Sequence, residues 1–174
     1  MKPASRSLPL LLSACCLALA ACQTPVPAPP PKPQVPPQQR LAAVDAAAGV
    51  DDTELDVQPL RDPQVEDLRA QAQKALAAGD YAAAATVLDQ ALTHVADDPA
   101  VLQERAEAAL GLADYAAAET LARRAFDLGS RVGPLCRRHW ATIEQARLAR
   151  DEHENAVSAR AQIASCTVPG LKRM

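Results

Sequence analysis

The stretch GDYAAAATVLDQAL, residues 79–92, returns 34 positions later as ADYAAAETLARRAF, residues 113–126. Asp-Tyr-Ala-Ala-Ala recurs intact. Behind it come a threonine, an aliphatic residue and, further on, an alanine followed by a large apolar side chain. A fixed period of this size marks a stack of supersecondary units, each burying its apolar face on the next copy.

The flanking residues define the unit. Asp62-Pro63 and Asp98-Pro99 each pair a capping carboxylate with a proline suited to the first helical turn, so each opens a helix. Asp80 and Asp114 stand where the second helix of each pair needs its cap. Apolar periodicity predicts helices over 63–78, 81–95, 99–112 and 115–128. Their inward stripes run through Val65, Ala72 and Leu76, then Tyr81, Leu88 and Leu92, then Leu102, Ala106 and Leu110, then Tyr115, Ala122 and Phe126. Alanine at the contacts lets helices approach closely, and Tyr81 and Tyr115 fill the wedge between repeats. A degenerate third unit follows. Pro134 opens a helix over about 134–149, Asp151-Glu152-His153 takes the turn with His153 in the tyrosine's place, and Ala156 matches the next alanine. Its leading loop, Ser130 to Cys136, is about four residues longer than the period allows.

This period and wording resemble the tetratricopeptide repeat (TPR), with Asp-Tyr at the turn and alanines along the second helix. Trp140 falls where that repeat favours tryptophan. Tyr81, Tyr115, Phe126 and Trp140 are all the aromatics of the chain, and all lie at repeat-packing positions. The resemblance implies an all-α fold: a short α-solenoid of about three helical hairpins after a disordered Pro-rich tether. The domain would cover 62–168, with units of about 65–98, 99–132 and 137–168, followed by a tail, 169–174. In this family the first helix of each unit lines a concave, partner-binding groove. Carried onto this chain, the groove is Glu66, Arg69, Gln73 and Leu76, then Gln103, Glu104, Glu107 and Leu110, then Arg138, Thr142, Gln145 and Leu148. The basic and asparagine clamp that some members use for a peptide C-terminus is not reproduced. The arrays often end in a capping helix, and here only TVPGLKRM remains.

The N-terminus points to a compartment. Lys2 and Arg6 precede a short apolar run, Leu8 to Ala21, the pattern of a secretory signal peptide, 1–21. Fourteen residues fall short of the ~18–20 that span a bilayer. Leu19-Ala20-Ala21-Cys22 resembles the lipobox of bacterial lipoproteins, which implies lipidation of Cys22 and cleavage before it. The alternatives are an ordinary signal peptide and a second box, Leu12-Ser13-Ala14-Cys15, which would keep more apolar sequence after the cut. Gln23, rather than Asp, resembles the outer-membrane sorting rule, giving a lipid-anchored outer-membrane protein that faces the periplasm. Removal of Lys2 and Arg6 lowers the formal charge from −3 to −5, which leaves no footprint for nucleic acid.

Eight prolines crowd Pro25 to Pro37, and an acidic, weakly patterned stretch follows. Residues 22–61 read as the lipidated cysteine and a tether; Val44 to Ala48 could hold a turn of helix, with nothing beside it in support. The tract is a spacer or, alternatively, a ligand for aromatic grooves.

No HExxH, Walker or G-x-S-x-G pattern occurs. His94 reads as a solvated residue at a helix C-terminus, His139 as lying on a polar face and Asp151-Glu152-His153-Glu154 as a charged turn rather than a metal site. Neither catalytic residues, a metal, a cofactor nor a small-molecule substrate is expected. With Cys15 and Cys16 in the signal peptide and Cys22 lipidated, Cys136 and Cys166 remain in an oxidising compartment. Each lies fifteen residues from Asp151, so a hairpin turning there brings them level. A disulfide between them is expected, the alternative being two buried thiols. The function these readings imply is a membrane-anchored adaptor that binds envelope proteins through its groove, such as peptidoglycan or division proteins. A pilotin-like assembly factor for a secretin or type IV pilus system is the alternative.

Overall fold

Aspartate side chains fix where the repeat helices begin. A computed structural model describes residues 34–49 and 62–167. The helices are α1 (Pro37–Ala48), α2 (Pro63–Ala77), α3 (Tyr81–His94), α4 (Pro99–Gly111), α5 (Tyr115–Leu128), α6 (Gly133–Ala149) and α7 (His153–Ser165). Among the described residues there is no strand, and α2–α7 form an all-α, TPR-like solenoid of three hairpins. The expected signal peptide, Cys22, tether residues 23–33 and 50–61, and the 169–174 tail lie outside the described residues.

Asp62 accepts from the Gln64 amide at 2.7 Å, Asp80 from Ala83 at 3.0 Å, Asp98 from Ala100 at 2.8 Å and Asp114 from Ala117 at 3.1 Å. Each carboxylate satisfies an amide that the first turn leaves without a partner. The first helix of every hairpin also ends in one way. The amides of Asp80, Asp114 and Glu152 reach back to the carbonyls of Ala75, Ala109 and Arg147 at 2.9–3.0 Å. Those of Gly79, Ala113 and Asp151 reach Leu76, Leu110 and Leu148 at 3.0–3.2 Å. This double closure needs a left-handed residue, and φ is 76°, 62° and 60° at Gly79, Ala113 and Asp151. The shared turn sets the register of the third unit and places His153 level with Tyr81 and Tyr115.

The core is thin and alanine-rich. Val65, Ala72, Ala84, Leu88, Ala91 and Val101 pack the first hairpin on α4. Almost all of α4 is buried, because every neighbouring helix leans on it. Tyr81 is 8% exposed and lies over Gly111, where a Cβ would sit 2.4 Å from the ring. Phe126 meets Trp140 edge to face, with ring centroids 4.9 Å apart. Cys136 and Cys166 are buried and joined by a disulfide that ties the first turn of α6 to the end of α7. The Gly133 amide donates to the Cys166 carbonyl beside it at 2.8 Å. Closing a loop of this separation is worth about 3–4 kcal/mol on the chain-entropy account. The outer face of α7 carries Val157 at 67% exposure.

One part of the tether reading is corrected. Residues 37–48 are a helix docked on the repeats, not part of a disordered segment. Pro37 opens it, Gly49 closes it at φ 72°, and Val44 is completely buried. A twelve-residue helix is marginal alone, so tertiary contact supplies what composition lacks.

Two substitutions test these constraints. Gly111→Ala gains up to about 1 kcal/mol of helix propensity but overpacks Tyr81 at a typical cost of about 1–3 kcal/mol, so the net effect is a lower melting temperature. Ala113→Gly removes a left-handed strain of about 1–2 kcal/mol against a chain-entropy loss of about 0.4–1 kcal/mol, so the melting temperature rises. Thermal melts followed by circular dichroism read both; opposite signs would contradict the turn and wedge geometry.

Candidate functional site

The first helices of the hairpins, α2, α4 and α6, present the face that the sequence marks as a groove. Glu104 and Glu107 lie one turn apart on α4 and are gripped from opposite sides. From α2, Arg69 Nη2 and Nε donate to the two Glu104 oxygens at 2.7 and 3.1 Å, and Gln73 Nε2 adds a bond at 2.8 Å. From α6, Arg138 Nη2 and Nε donate to the two Glu107 oxygens at 2.7 and 3.0 Å. Burial pushes the Glu107 carboxyl above its usual range, against the pull of Arg138 and a hydrogen bond from Gln103. Burial also opposes the Arg69 and Arg138 charges, but hydrogen bonds and attraction from their glutamates outweigh it and raise both.

Gln103 connects the clasp to α6. Its Nε2 donates to Glu107 Oε1 and Thr142 Oγ1, both at 2.8 Å. Its Oε1 therefore accepts from His139 Nδ1 at 2.7 Å, which places the imidazole proton on Nδ1. His139 is completely buried, not on a polar face as its neighbours Arg137 and Arg138 suggest. Burial, with the Arg138 charge beside it, lowers its pKa to about 3.

Of the twelve expected groove residues, Gln103, Glu104, Glu107, Leu110 and Thr142 are buried. Glu66 and Gln73 are exposed, while Arg69, Leu76, Arg138, Gln145 and Leu148 are partly buried. The structure gathers Glu66, Arg69, Gln73 and Glu104 into one polar cluster between α2 and α4, and Gln103, Glu107, Arg138 and Thr142 into a second between α4 and α6, while Leu76 packs into the first core. A second interaction that sequence reading omits is α1, which lies along α6 and α4. Val44 and Leu41 pack with Ala109, Leu110, Ala141 and Ala146. Arg40 Nη1 donates to the Gln145 carbonyl at 3.2 Å, and its guanidinium lies 5.7 Å from the Tyr115 ring centroid. Asp45 pairs with Arg138 at 3.4 Å. Arg137 Nη2 and Nε donate to the Ala48 carbonyl at 2.6 and 2.8 Å, capping the C-terminus of α1. Contacts at 40 with 145, 45 with 138 and 48 with 137 make α1 antiparallel to α6. The sequence signal was present in Pro37, the spacing of Arg40, Leu41, Val44 and Ala48, and Gly49.

On the far side, Glu119 of α5 binds Arg147 at 2.7 Å and also Arg150, and Arg150 Nη1 donates to the Tyr115 carbonyl at 2.8 Å. Burial opposes ionisation of Glu119, but hydrogen bonds from Arg147 and Arg150 outweigh it and hold the carboxyl below its usual value. At the third turn Glu152 binds Arg150, and the exposed His153 lies 3.7 Å from Asp151. His94 is exposed in the last turn of α3.

This arrangement is a helical-repeat scaffold whose first-helix face is cross-bonded internally and overlaid by α1. No protein-family description matches the chain, and no curated protein matches it. Among solved structures it matches the globular C-terminal domain of P. aeruginosa LpoP at 30% identity and a TM-score of 0.57, covering 60% of this chain and 99% of that one. The chain belongs to the family of that LpoP domain.

His139 predicts an acid sensitivity. Its folded pKa is depressed, so its contribution is complete above the unfolded value near 6.5 and is lost as pH falls towards about 3. Each pH unit in that window removes up to about 1.4 kcal/mol. Denaturant unfolding at pH 7 and pH 5 should show a fall of about 2 kcal/mol in the parent from this group and a smaller fall in His139→Gln. An equal fall in both would exclude His139 as the source.

Proposed function

We propose that the protein is an envelope lipoprotein, held by lipid at Cys22 in the outer membrane with its repeat domain in the periplasm, and that it acts as an adaptor rather than an enzyme. Its partner is a protein of peptidoglycan synthesis or cell division. The observation that carries this reading is a TPR-like stack placed behind a lipobox-like cysteine on one chain. Kinship with the LpoP domain supports it. Among the described residues no helix is long and apolar enough to cross a membrane.

The tether fits the role. Fourteen residues separate Cys22 from Pro37, and forty separate it from Pro63. Fully extended, these reach at most about 50 Å and about 140 Å. Docking of α1 therefore shortens the free chain available between Cys22 and the folded domain.

Two measurements test the proposal. Cys22→Ala should remove the protein from the outer-membrane fraction; retention there at the parental mass would sink the anchor. A photo-crosslinking residue at Ala70, exposed on α2 between Glu66 and Gln73, should capture a peptidoglycan or division protein in cells. The same residue at Arg124 on α5 should not. Absence of any adduct both from Ala70 and from the same residue at Gln145 on α6, or capture of a secretin instead, would overturn the adaptor reading.

A further inference from the structure

The seat of α1 has the features of a helix-binding site. Its floor is apolar and made of small residues, Ala109, Ala141 and Ala146, with Leu110. One end grips a helix C-terminus, because Arg137 donates twice to the Ala48 carbonyl. Arg138 stands beside it and takes the Asp45 carboxylate while still holding Glu107. The other end takes a guanidinium, offering the Gln145 carbonyl and the Tyr115 ring face.

The occupant fits this seat imperfectly. Val44 is the only large apolar side chain of α1 that is fully buried. Arg40 is 7% exposed, yet its Nε is buried with no hydrogen-bond partner among the described residues. An unsatisfied buried donor is costly. No side chain caps the N-terminus of α1. An element with few apolar contacts and an unmet donor belongs to the low-stability end of a structure. The six repeat helices beneath it have two further cores, to which α1 contributes nothing, and a disulfide.

We propose that the α4–α6 face under α1 is the partner-binding surface, and that α1 is an internal occupant which a helix of the partner displaces. The displacing helix carries an arginine, an aliphatic residue four positions on, a carboxylate next to it, and a C-terminus about one turn further. Binding then frees residues 34–49 and lengthens the tether in the same step. This rests on the adaptor reading for its biological partner, but the receptor property of the seat does not.

The test uses the exported full chain and a fluorescent synthetic peptide of residues 34–49 as the probe. Val44→Asp places a carboxylate on the apolar floor and releases α1 from its seat. In the parent, the tethered α1 competes at the high effective concentration of an intramolecular ligand. Val44→Asp should therefore bind the peptide at least about tenfold more tightly than the parent. Adding Arg137→Gln to Val44→Asp should weaken that binding again while the repeats still melt cooperatively. Equal, weak binding by the parent and Val44→Asp, with the repeats folded, overturns the proposal. A second measurement needs no variant and covers a Val44→Asp chain that fails to fold. In the parent, saturating peptide should accelerate amide exchange across 37–48 and leave α4 and α6 unchanged; no acceleration at saturation overturns the proposal too. Peptide binding with no adduct from Ala70 or from Gln145 would separate a working seat from a wrong adaptor reading.

Discussion

Two glutamates one turn apart on α4, each held by a guanidinium from a different neighbouring helix, set the geometry of the first-helix face. The constraint matters because the core around them is largely alanine. Alanine contacts bury area and permit close approach, but offer few knobs to fix one helix against the next. Directional bonds supply what shape does not. Arg69 and Arg138 each present a planar fork to a carboxylate, a geometry that tolerates little sliding. Gln103 then links that clasp to Thr142 and His139, so α4 and α6 share one polar network. Removing one member would leave a buried charge or donor unmatched, which costs more than the pair contributes when whole.

The same network reaches α1. Arg138 faces inward to Glu107 and outward to Asp45, and Arg137 caps the helix that Asp45 belongs to. The face that resemblance marks for a partner is therefore saturated on its inner side by the solenoid's own ion pairs and overlaid on its outer side by a segment of the same chain. What the first unit leaves exposed, around Glu66 and Gln73, is narrower than the full first-helix face.

Much of this was legible in the residues. Asp62, Asp80, Asp98 and Asp114 mark their helix starts because capping is local chemistry, readable without tertiary structure. The pairing of Cys136 and Cys166 follows from hairpin arithmetic around Asp151. The interior polar network was not legible, because a glutamate or glutamine on a helix face carries no mark of whether solvent or another helix covers it. His139 misled for the same reason: two flanking arginines suggest solvent, while one turns to Glu107 and the other to Ala48. α1 was hidden by composition. Proline on one side and acidic residues on the other outweigh a short stripe of Arg40, Leu41, Val44 and Ala48 that becomes a helix only against α6.

Residues 37–48 belong to the folded domain as a helix seated over α4 and α6. Native-state hydrogen exchange on the full chain at neutral pH tests it most directly. α4 should exchange only with global unfolding, while 37–48 should be slowed at least about tenfold relative to the free peptide of that sequence yet exchange well before α4. Exchange of 37–48 at the free-peptide rate would contradict it.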